Sequence, residues 1–421
     1  MIALILAGGL GSRLKSITGD MPKCLVPIDG VPLIGHQLGN LKKYGINDVV
    51  ILTGYGHDKI RDFCGNGERW SLNIRYVREP IPIGTAGALR QLKGQIADDA
   101  LLVSGDILFD ICLSRMYEAH IRTEALATVA AHPSDHPYDS NLLEVGGDGF
   151  VEKWHIRKNR QEADYFNLTN LSLQILSPEF IKEIPDNCFD LWDDALPMLI
   201  MANKKIFAYR TSEFIRDMGT PERYYKALEE YRSGLAGKRN LNNMQKAIFI
   251  DRDGVTNRHK DYITRPEQIE LVDGSAEAIK IINNSEFLAI CVTNQAQVGK
   301  GMCDLGALAD IHKRLETLLA RNGAYLDNIY FCPHDHGENC NCRKPLPGML
   351  FKAREEFNLN LEECYMIGDT TRDIQTGINV KTKTILVKTG MAGNDNNYDC
   401  LPDIISDDLY QAVKTILYTE A

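Results

Sequence analysis

The sequence predicts an α/β protein built as two Rossmann-like domains in one chain. Three observations predict it. The first is length: 421 residues exceed what one hydrophobic core organises, so two or three domains are expected. The second is a pattern that occurs twice, an apolar run leading straight into a small-residue loop. Ile2–Leu6 runs into Ala7-Gly8-Gly9-Leu10-Gly11-Ser12-Arg13, and Ala247–Ile250 runs into Asp251-Arg252-Asp253-Gly254. The third is a βαβ rhythm of short apolar runs and amphipathic segments, which argues for parallel sheets.

In the first half, Val49–Leu52, Leu101–Val103 and Ala127–Ala130 read as strands, and Pro32–Lys43 as an amphipathic helix. The rhythm then restarts. Phe287–Val292, Cys364–Ile367 and Thr384–Val387 read as buried strands, and Ile311–Ala320 as a helix. Between the halves, the stretch from Tyr231 to Asn240 is polar and carries Gly234 and Gly237. The expected organisation is a domain over 1–230, a linker over 231–245 and a domain over 246–421. The halves share a layout but no repeated sequence.

Composition is that of an ordinary globular chain, 44% apolar and 25% charged, with a net charge of −10. No basic patch stands out, so nucleic acid is not an expected partner. An acidic chain can still bind phosphates through local Lys, Arg, metal ions or backbone N–H groups. The opening segment lacks a basic n-region and leads into a glycine loop, unlike a signal peptide. No apolar stretch approaches the roughly 18 residues of a membrane span, so no membrane contact is expected. Eight of the eleven cysteines are scattered, as reduced thiols of a cytoplasmic protein would be.

Glycines directly after a strand let the backbone approach a phosphate, and successive N–H groups can cradle it. Such a loop alone is equally a tight turn. Here Arg13 closes it, Met21-Pro22-Lys23-Cys24-Leu25 follows, Gly84-Thr85-Ala86-Gly87 precedes a helical stretch, and an apolar strand ends in Ser104-Gly105-Asp106. A carboxylate at such a strand end suits a Mg²⁺ ion beside substrate phosphates.

Together these segments resemble the sugar-1-phosphate nucleotidyltransferase family, whose pattern of GGxGTRL, PKxLxPIxGxPL, LGTAGAL and GD reads here as GGLGSRL, PKCLVPIDGVPL, IGTAGAL and GD. The likeness extends through Phe150–Trp154 to Arg216–Glu222. It implies a mixed-sheet nucleotidyltransferase domain. Leu6, Gly8, Gly9, Gly11, Ser12 and Arg13 would hold the nucleoside triphosphate, with Gly84, Thr85 and Gly87 facing the base. Arg13 and Lys23 would neutralise leaving pyrophosphate, Asp106 and Asp217 would hold Mg²⁺, and Glu152, Lys153 and Asn170 would contact the sugar phosphate. Ser12 stands where Thr is usual, and Asn170-Leu171-Ser172 where NAG is usual. Phosphoryl transfer of this kind needs mainly positioning and charge neutralisation.

In the second half, Asp251 and Asp253 lie two apart just beyond a strand. One carboxylate can attack phosphorus while the other protonates the leaving oxygen. Thr293-Asn294-Gln295 ends a second strand, Arg343-Lys344-Pro345 supplies cations, and Gly368-Asp369-Thr370-Thr371-Arg372-Asp373 follows a third. In this order the segments resemble the haloacid dehalogenase superfamily, which implies a parallel sheet. Asp251 would be the nucleophile and Asp253 the acid, then base. Thr293 and Lys344 would bind phosphoryl oxygens. Asp369, Asp251 and the carbonyl of Asp253 would hold Mg²⁺, with Asp373 supporting them.

Cys332, His334, Cys340 and Cys342 place three thiols and an imidazole within eleven residues, the donor set of a closed Zn²⁺ site. His336 is a competing nitrogen, and a disulfide is the other reading. The zinc loop would position Arg343 and Lys344.

DRDGV, TNQ, CPH, CxCRKP and GD resemble the branch that removes the 7-phosphate of heptose 1,7-bisphosphate. A related branch acts on histidinol phosphate. After TNQ this chain has Ala296-Gln297-Val298-Gly299-Lys300-Gly301, where the heptose enzymes have SGIARG. Lys300 would meet a second phosphate, with Asn294 and Arg343 as further substrate contacts. Leu14-Lys15-Ser16 and PIDGVPL resemble guanylyltransferases of the same pathway. The implied activity is bifunctional: 7-phosphate removal, then transfer of GMP from GTP to heptose 1-phosphate. The alternatives are a different sugar with a phosphatase of other specificity, or one half acting as a sensor. Nucleoside triphosphate and sugar phosphates are the expected partners, with a homo-oligomer possible.

Overall fold

The computed structural model describes residues 1–9, 11–159 and 163–419. Leu10, within the glycine loop, lies outside the described residues. The chain divides into two compact units, Met1–His132 with Leu143–Asn159 and Thr169–Asn240, and Pro133–Leu142 with Arg160–Leu168 and Leu241–Ala421. Two loops expected in the first domain thus belong to the second unit, where the Tyr165 N–H donates to Thr317 Oγ1 at 3.0 Å.

The first unit is organised on Ile2–Ala7, whose residues from Ala3 to Ile5 are wholly buried. Strands buried on both faces read as continuous apolar runs, which is why this one is legible. It pairs in parallel with Asp48–Thr53 and Ala100–Ser104. Asp48–Thr53 pairs in parallel with Asn73–Arg78. Beyond Ala100–Ser104 the direction reverses: Thr169–Leu176 is antiparallel to it and to Ala127–His132. The nine-stranded sheet is therefore mixed. The rhythm alone had argued for parallel strands, but the long returns of the later connections break it. The helix expected over Pro32–Lys43 runs Leu33–Lys43.

The chain passes from one unit to the other between Asn240 and Leu241, within the span expected as a linker, and that span is structured. The helix Pro221–Arg232 runs into it and a short helix Leu235–Lys238 follows. Leu235, Ala236, Arg239, Asn240 and Leu241 are buried. Its polar composition concealed two apolar anchors, Leu235 and Ala236, with Ala236 packing among Leu14, Phe214, Tyr224 and Ala227.

The second unit is a six-stranded sheet in the order Asn328–Cys332, Phe287–Asn294, Lys246–Ile250, Tyr365–Gly368, Lys383–Val387, Ile404–Ser406. Its pairings are parallel. Apolar side chains cover both faces, in two clusters built on Ile248 and Ile250 on one side and Ala247 and Phe249 on the other. Alternation of the strand's side chains makes that division. Among the described residues no helix is long and apolar enough to cross a membrane.

Candidate active sites

In the first unit, the strand Ile2–Ala7 delivers the glycine loop beside Gly105. Gly105 N–H donates to Leu6 O at 2.9 Å, and a Cβ on Gly105 would lie 2.6 Å from that oxygen. Only glycine permits this approach. Gly11 has φ +61°, and a Cβ there would stand 3.2 Å from Lys23 Cβ. Lys23 therefore lies against the loop, oriented by the turn Lys23–Leu25 whose Cys24 and Leu25 are buried.

The Lys23 ammonium pairs with Asp106 Oδ2, and Ser104 Oγ donates to Asp106 Oδ1 at 2.6 Å. Burial works against ionisation of Asp106, but Lys23 and Ser104 outweigh it and hold the carboxyl below its ordinary range. Asp217 arrives on Phe214–Asp217, antiparallel to Ile107–Asp110 with Asp217 opposite Ile107. Met218 N–H donates to Asp106 O at 2.9 Å, which sets the two carboxylates' backbones side by side. Asp217 Oδ1 accepts from Arg223 Nη1 at 2.9 Å, and the Arg13 guanidinium converges there: a Cβ on Gly219 would lie 3.7 Å from Arg13 Nη2. Arg223 escaped the sequence reading, although it follows Pro221-Glu222 directly.

The other expected contacts divide. Gly84 has φ +76° and abuts Phe189 O, so it needs to be glycine. Gly87 is buried close to Ile83. Thr85 Oγ1 donates to Asp190 Oδ2 at 3.1 Å and accepts from Leu191 N at 2.7 Å; its hydroxyl secures that loop. Asn170 begins the bulge in its strand, accepting from Gln174 Nε2 at 3.0 Å. Glu152 is exposed, and Lys153 Nζ pairs with Glu144 Oε2 at 3.1 Å in solvent.

In the second unit three parallel strands bring their carboxyl ends together. Asp251 follows Lys246–Ile250, Thr293 ends Phe287–Asn294, and Asp369 follows Tyr365–Gly368. Lys344 Nζ lies 2.9 Å from Asp251 Oδ2 and 2.6 Å from Asp373 Oδ1, all three buried. Burial and then Asp373 push Asp251 up to about 7, despite Lys344. Burial, Asp373 and Asp251 push Asp369 up to about 8. Asp369 Oδ1 is buried and accepts no hydrogen bond among the described residues. Asp251, Asp369 and Asp373 offer oxygens within 4.8 Å of one another. A crowded carboxylate set with an orphan oxygen fits a divalent cation.

The carboxylate of Asp253 is no part of that group: it accepts from Arg252 Nη2 at 2.8 Å, Asn257 Nδ2 at 2.9 Å and Gln295 Nε2 at 2.9 Å. Asp373, expected in support of these ligands, stands beside Asp251 and Asp369 because the helix Thr371–Val380 starts over the strand end. The amide of Asn294 is used on the main chain of Lys344, accepting from N at 3.0 Å and donating to O at 3.2 Å.

Lys300 Nζ meets Tyr262 Oη at 2.6 Å. Arg343 Nη1 donates to His334 O at 3.1 Å, and its Nη2 lies 2.9 Å from His336 Nε2. Burial, then Arg343, Arg372 and Lys300, hold His336 below its ordinary value, so three cations gather at this rim.

Cys332 Sγ lies 3.8 Å from Cys340 Sγ and 3.5 Å from His334 Nδ1, which is 3.3 Å from Cys342 Sγ. These sulfurs are not bonded, as a disulfide at about 2.05 Å would require. A tetrahedral ion with Zn–S bonds of about 2.3 Å separates its ligands by about 3.8 Å, so the set fits zinc. Burial opposes ionisation of Cys340, but N–H groups of Arg343 and Cys342 outweigh it and lower the thiol. His336 lies outside this group.

Residues 2–234 match the nucleotidyl transferase family model, and residues 341–412 a HAD-hydrolase-like family model. The D-glycero-beta-D-manno-heptose-1,7-bisphosphate 7-phosphatase of Pasteurella multocida is 38% identical over 154 residues, covering 35% of this chain and 84% of that protein. The phosphatase of the same name from Yersinia pestis is 37% identical over 153 residues, 34% of this chain and 81% of that protein. A solved Bacillus anthracis structure, assigned as a glucose-1-phosphate thymidylyltransferase, aligns over 55% of this chain and 95% of that one. Its TM-score of 0.50 at 21% identity is a likeness of fold alone.

Proposed function

Since this chain belongs to the nucleotidyl transferase family and also to that of the heptose bisphosphate 7-phosphatases, we propose that it is a bifunctional enzyme of nucleotide-activated heptose synthesis. The second unit removes the 7-phosphate of a heptose 1,7-bisphosphate. The first transfers GMP from GTP to the resulting heptose 1-phosphate and releases pyrophosphate. The observation that carries this reading is that both phosphate centres keep their reactive groups, Lys23 with Asp106 and Lys344 with Asp251. The product of the second unit retains the 1-phosphate that the first unit needs.

In the phosphatase, Asp251 attacks phosphorus and the bond to the sugar oxygen breaks. Asp253 gives that oxygen its proton. Water then attacks the aspartyl phosphate, Asp253 takes the water proton, and inorganic phosphate leaves. Lys344 and Thr293 offset charge on the phosphoryl oxygens. Mg²⁺, held by Asp251, Asp369 and the Asp253 carbonyl, with Asp373 beside them, would supply further charge neutralisation. Zn²⁺, held by Cys332, His334, Cys340 and Cys342, would clip the loop carrying Arg343 and Lys344. Arg343 and Lys300 suit the second phosphate of a bisphosphate. The reduced thiols suit a cytoplasmic location.

In the transferase, the sugar phosphate is already ionised and needs no general base. Its oxygen attacks the α-phosphorus, and the bond to the β-phosphate oxygen breaks. Arg13 and Lys23 meet the departing pyrophosphate. Asp106 and Asp217 would hold Mg²⁺, which would supply further charge neutralisation to the phosphates. The Leu14-Lys15-Ser16 and PIDGVPL segments support guanine as the base.

The test uses the full-length protein with each anomer of heptose 1,7-bisphosphate and Mg²⁺, following phosphate release, then pyrophosphate release on adding each common nucleoside triphosphate. Phosphate release followed by GTP-preferring pyrophosphate release is expected. Pyrophosphate release with another sugar 1-phosphate but none with heptose 1-phosphate would overturn the assignment.

A further inference from the structure

A chain of buried polar groups ends at the amide of Gln295. Ile263 O can only accept, and Gln297 Nε2 donates to it at 3.1 Å. The same nitrogen donates to Gln295 Oε1. The nitrogen of Gln295 therefore faces the opposite way. Its N–H groups go to Asp253 Oδ2 at 2.9 Å and to Thr293 Oγ1 at 2.8 Å. An amide nitrogen has two protons to give, and both are used. Gln295, Gln297 and Thr293 are all buried, so these bonds face little competition from water.

Two consequences follow from that geometry. Thr293 Oγ1 is an acceptor toward Gln295, so its own proton remains to be donated, and among the described residues it has no acceptor. That leaves the hydroxyl as a donor for a phosphoryl oxygen. Asp253 is also held by Arg252 and Asn257, but Gln295 alone spans both the carboxylate and the threonine hydroxyl.

We propose that Gln295 is a positioning residue of the phosphatase, holding Thr293 as donor to the phosphoryl group and Asp253 as the carboxylate that receives the proton of water. The inference rests on the phosphatase reading above. The step it serves is hydrolysis of the aspartyl phosphate. The water oxygen bonds to phosphorus, the bond to Asp251 breaks, the proton goes to Asp253, and phosphate departs.

The test is Gln295→Met in the full-length chain, with p-nitrophenyl phosphate and Mg²⁺. Its leaving group departs without a proton, so the first step makes no call on Asp253 and the second is the step that does. The expected result is a fall in kcat of about 10- to 100-fold, with phosphorylated Asp251 as the main species after acid quench. A structural defect would lower kcat without trapping that species. Gln297→Leu, which frees the amide of Gln295 to turn, is expected to trap it too, with a fall of about 3- to 10-fold. Folded variants with wild-type kcat, or with lowered kcat and no trapped phosphoenzyme, would overturn the inference. If the wild-type protein releases no phosphate from either substrate, the phosphatase reading itself fails and takes this inference with it.

Discussion

Lys344 Nζ stands 2.9 Å from Asp251 Oδ2, a buried ammonium against a buried carboxylate. Lys344 also meets Asp373 at 2.6 Å, so removing the charge of Asp251 leaves the lysine paired. An unpaired buried charge is what destabilises strongly. Asp251→Asn is therefore expected to fold. It should lower phosphate release by about 10⁴-fold or more, as loss of a nucleophile does, with pyrophosphate release from heptose 1-phosphate unchanged. Comparing the two product assays on one preparation checks this; surviving phosphatase turnover would move the nucleophile elsewhere.

Asp106→Ala probes the other unit. It removes the partner of Lys23 and one expected Mg²⁺ ligand. Nucleotidyl transfer should drop by about 10³-fold or more, while the phosphatase keeps its rate. Loss of both activities in a folded variant would mean one shared site.

Zinc content is the third measurement. Cys332, His334, Cys340 and Cys342 are expected to hold one Zn²⁺ per chain. Cys340→Ser should bring metal content towards zero and weaken the phosphatase through Arg343 and Lys344, leaving the transferase active. A wild-type protein with well under one zinc per chain and full phosphatase activity would sink the site.

The fourth prediction concerns pH in a chelator. Asp369 has its folded value raised from 3.8 to about 8. The folded state therefore holds a proton that the unfolded chain has lost. The resulting stability is fully present below about pH 4 and is lost as pH rises through about 8. Asp369→Asn keeps the shape and removes the titration. Relative to wild type it should gain little at pH 4 and melt higher at pH 8. A gain on the order of 1 kcal/mol corresponds to about 2–4 °C. Thermal melts across that range decide it, and a pH-independent difference would refute the assignment.

The places of Asp106, Asp251 and Asp369 were legible because each follows a strand, where a buried apolar run marks the strand and the next polar residue marks its end. The direction of the Asn294 amide was not legible, because motif position places a residue near a site without saying which way its side chain points; here it binds the backbone of Lys344. The contacts of Asp373 with Lys344 and of Gln295 with Asp253 were not legible for a related reason: they follow side-chain directions set by a helix start and a buried amide chain, and neither has a sequence period. The mixed sheet was not legible from rhythm, since an antiparallel strand such as Thr169–Leu176 is as apolar as a parallel one. The helix Leu235–Lys238 inside the expected linker was not legible, because Leu235 and Ala236 are too few apolar residues to announce a packed helix.

The ribbon that pairs Ile107–Asp110 with Phe214–Asp217 bears on how the protein comes into being. It closes a loop of roughly a hundred residues before Asp217 can stand beside Asp106, and non-local pairings of this length form late and slowly. A nascent chain that has emerged only as far as Thr211 already carries the glycine loop, Lys23 and Asp106, yet has just one of the two carboxylates. On the proposed reading, in which Asp106 and Asp217 together hold Mg²⁺, transferase competence is expected to appear only once Asp217 has been made, and fragments ending before Phe214 are expected to bind metal–nucleotide more weakly than the full chain.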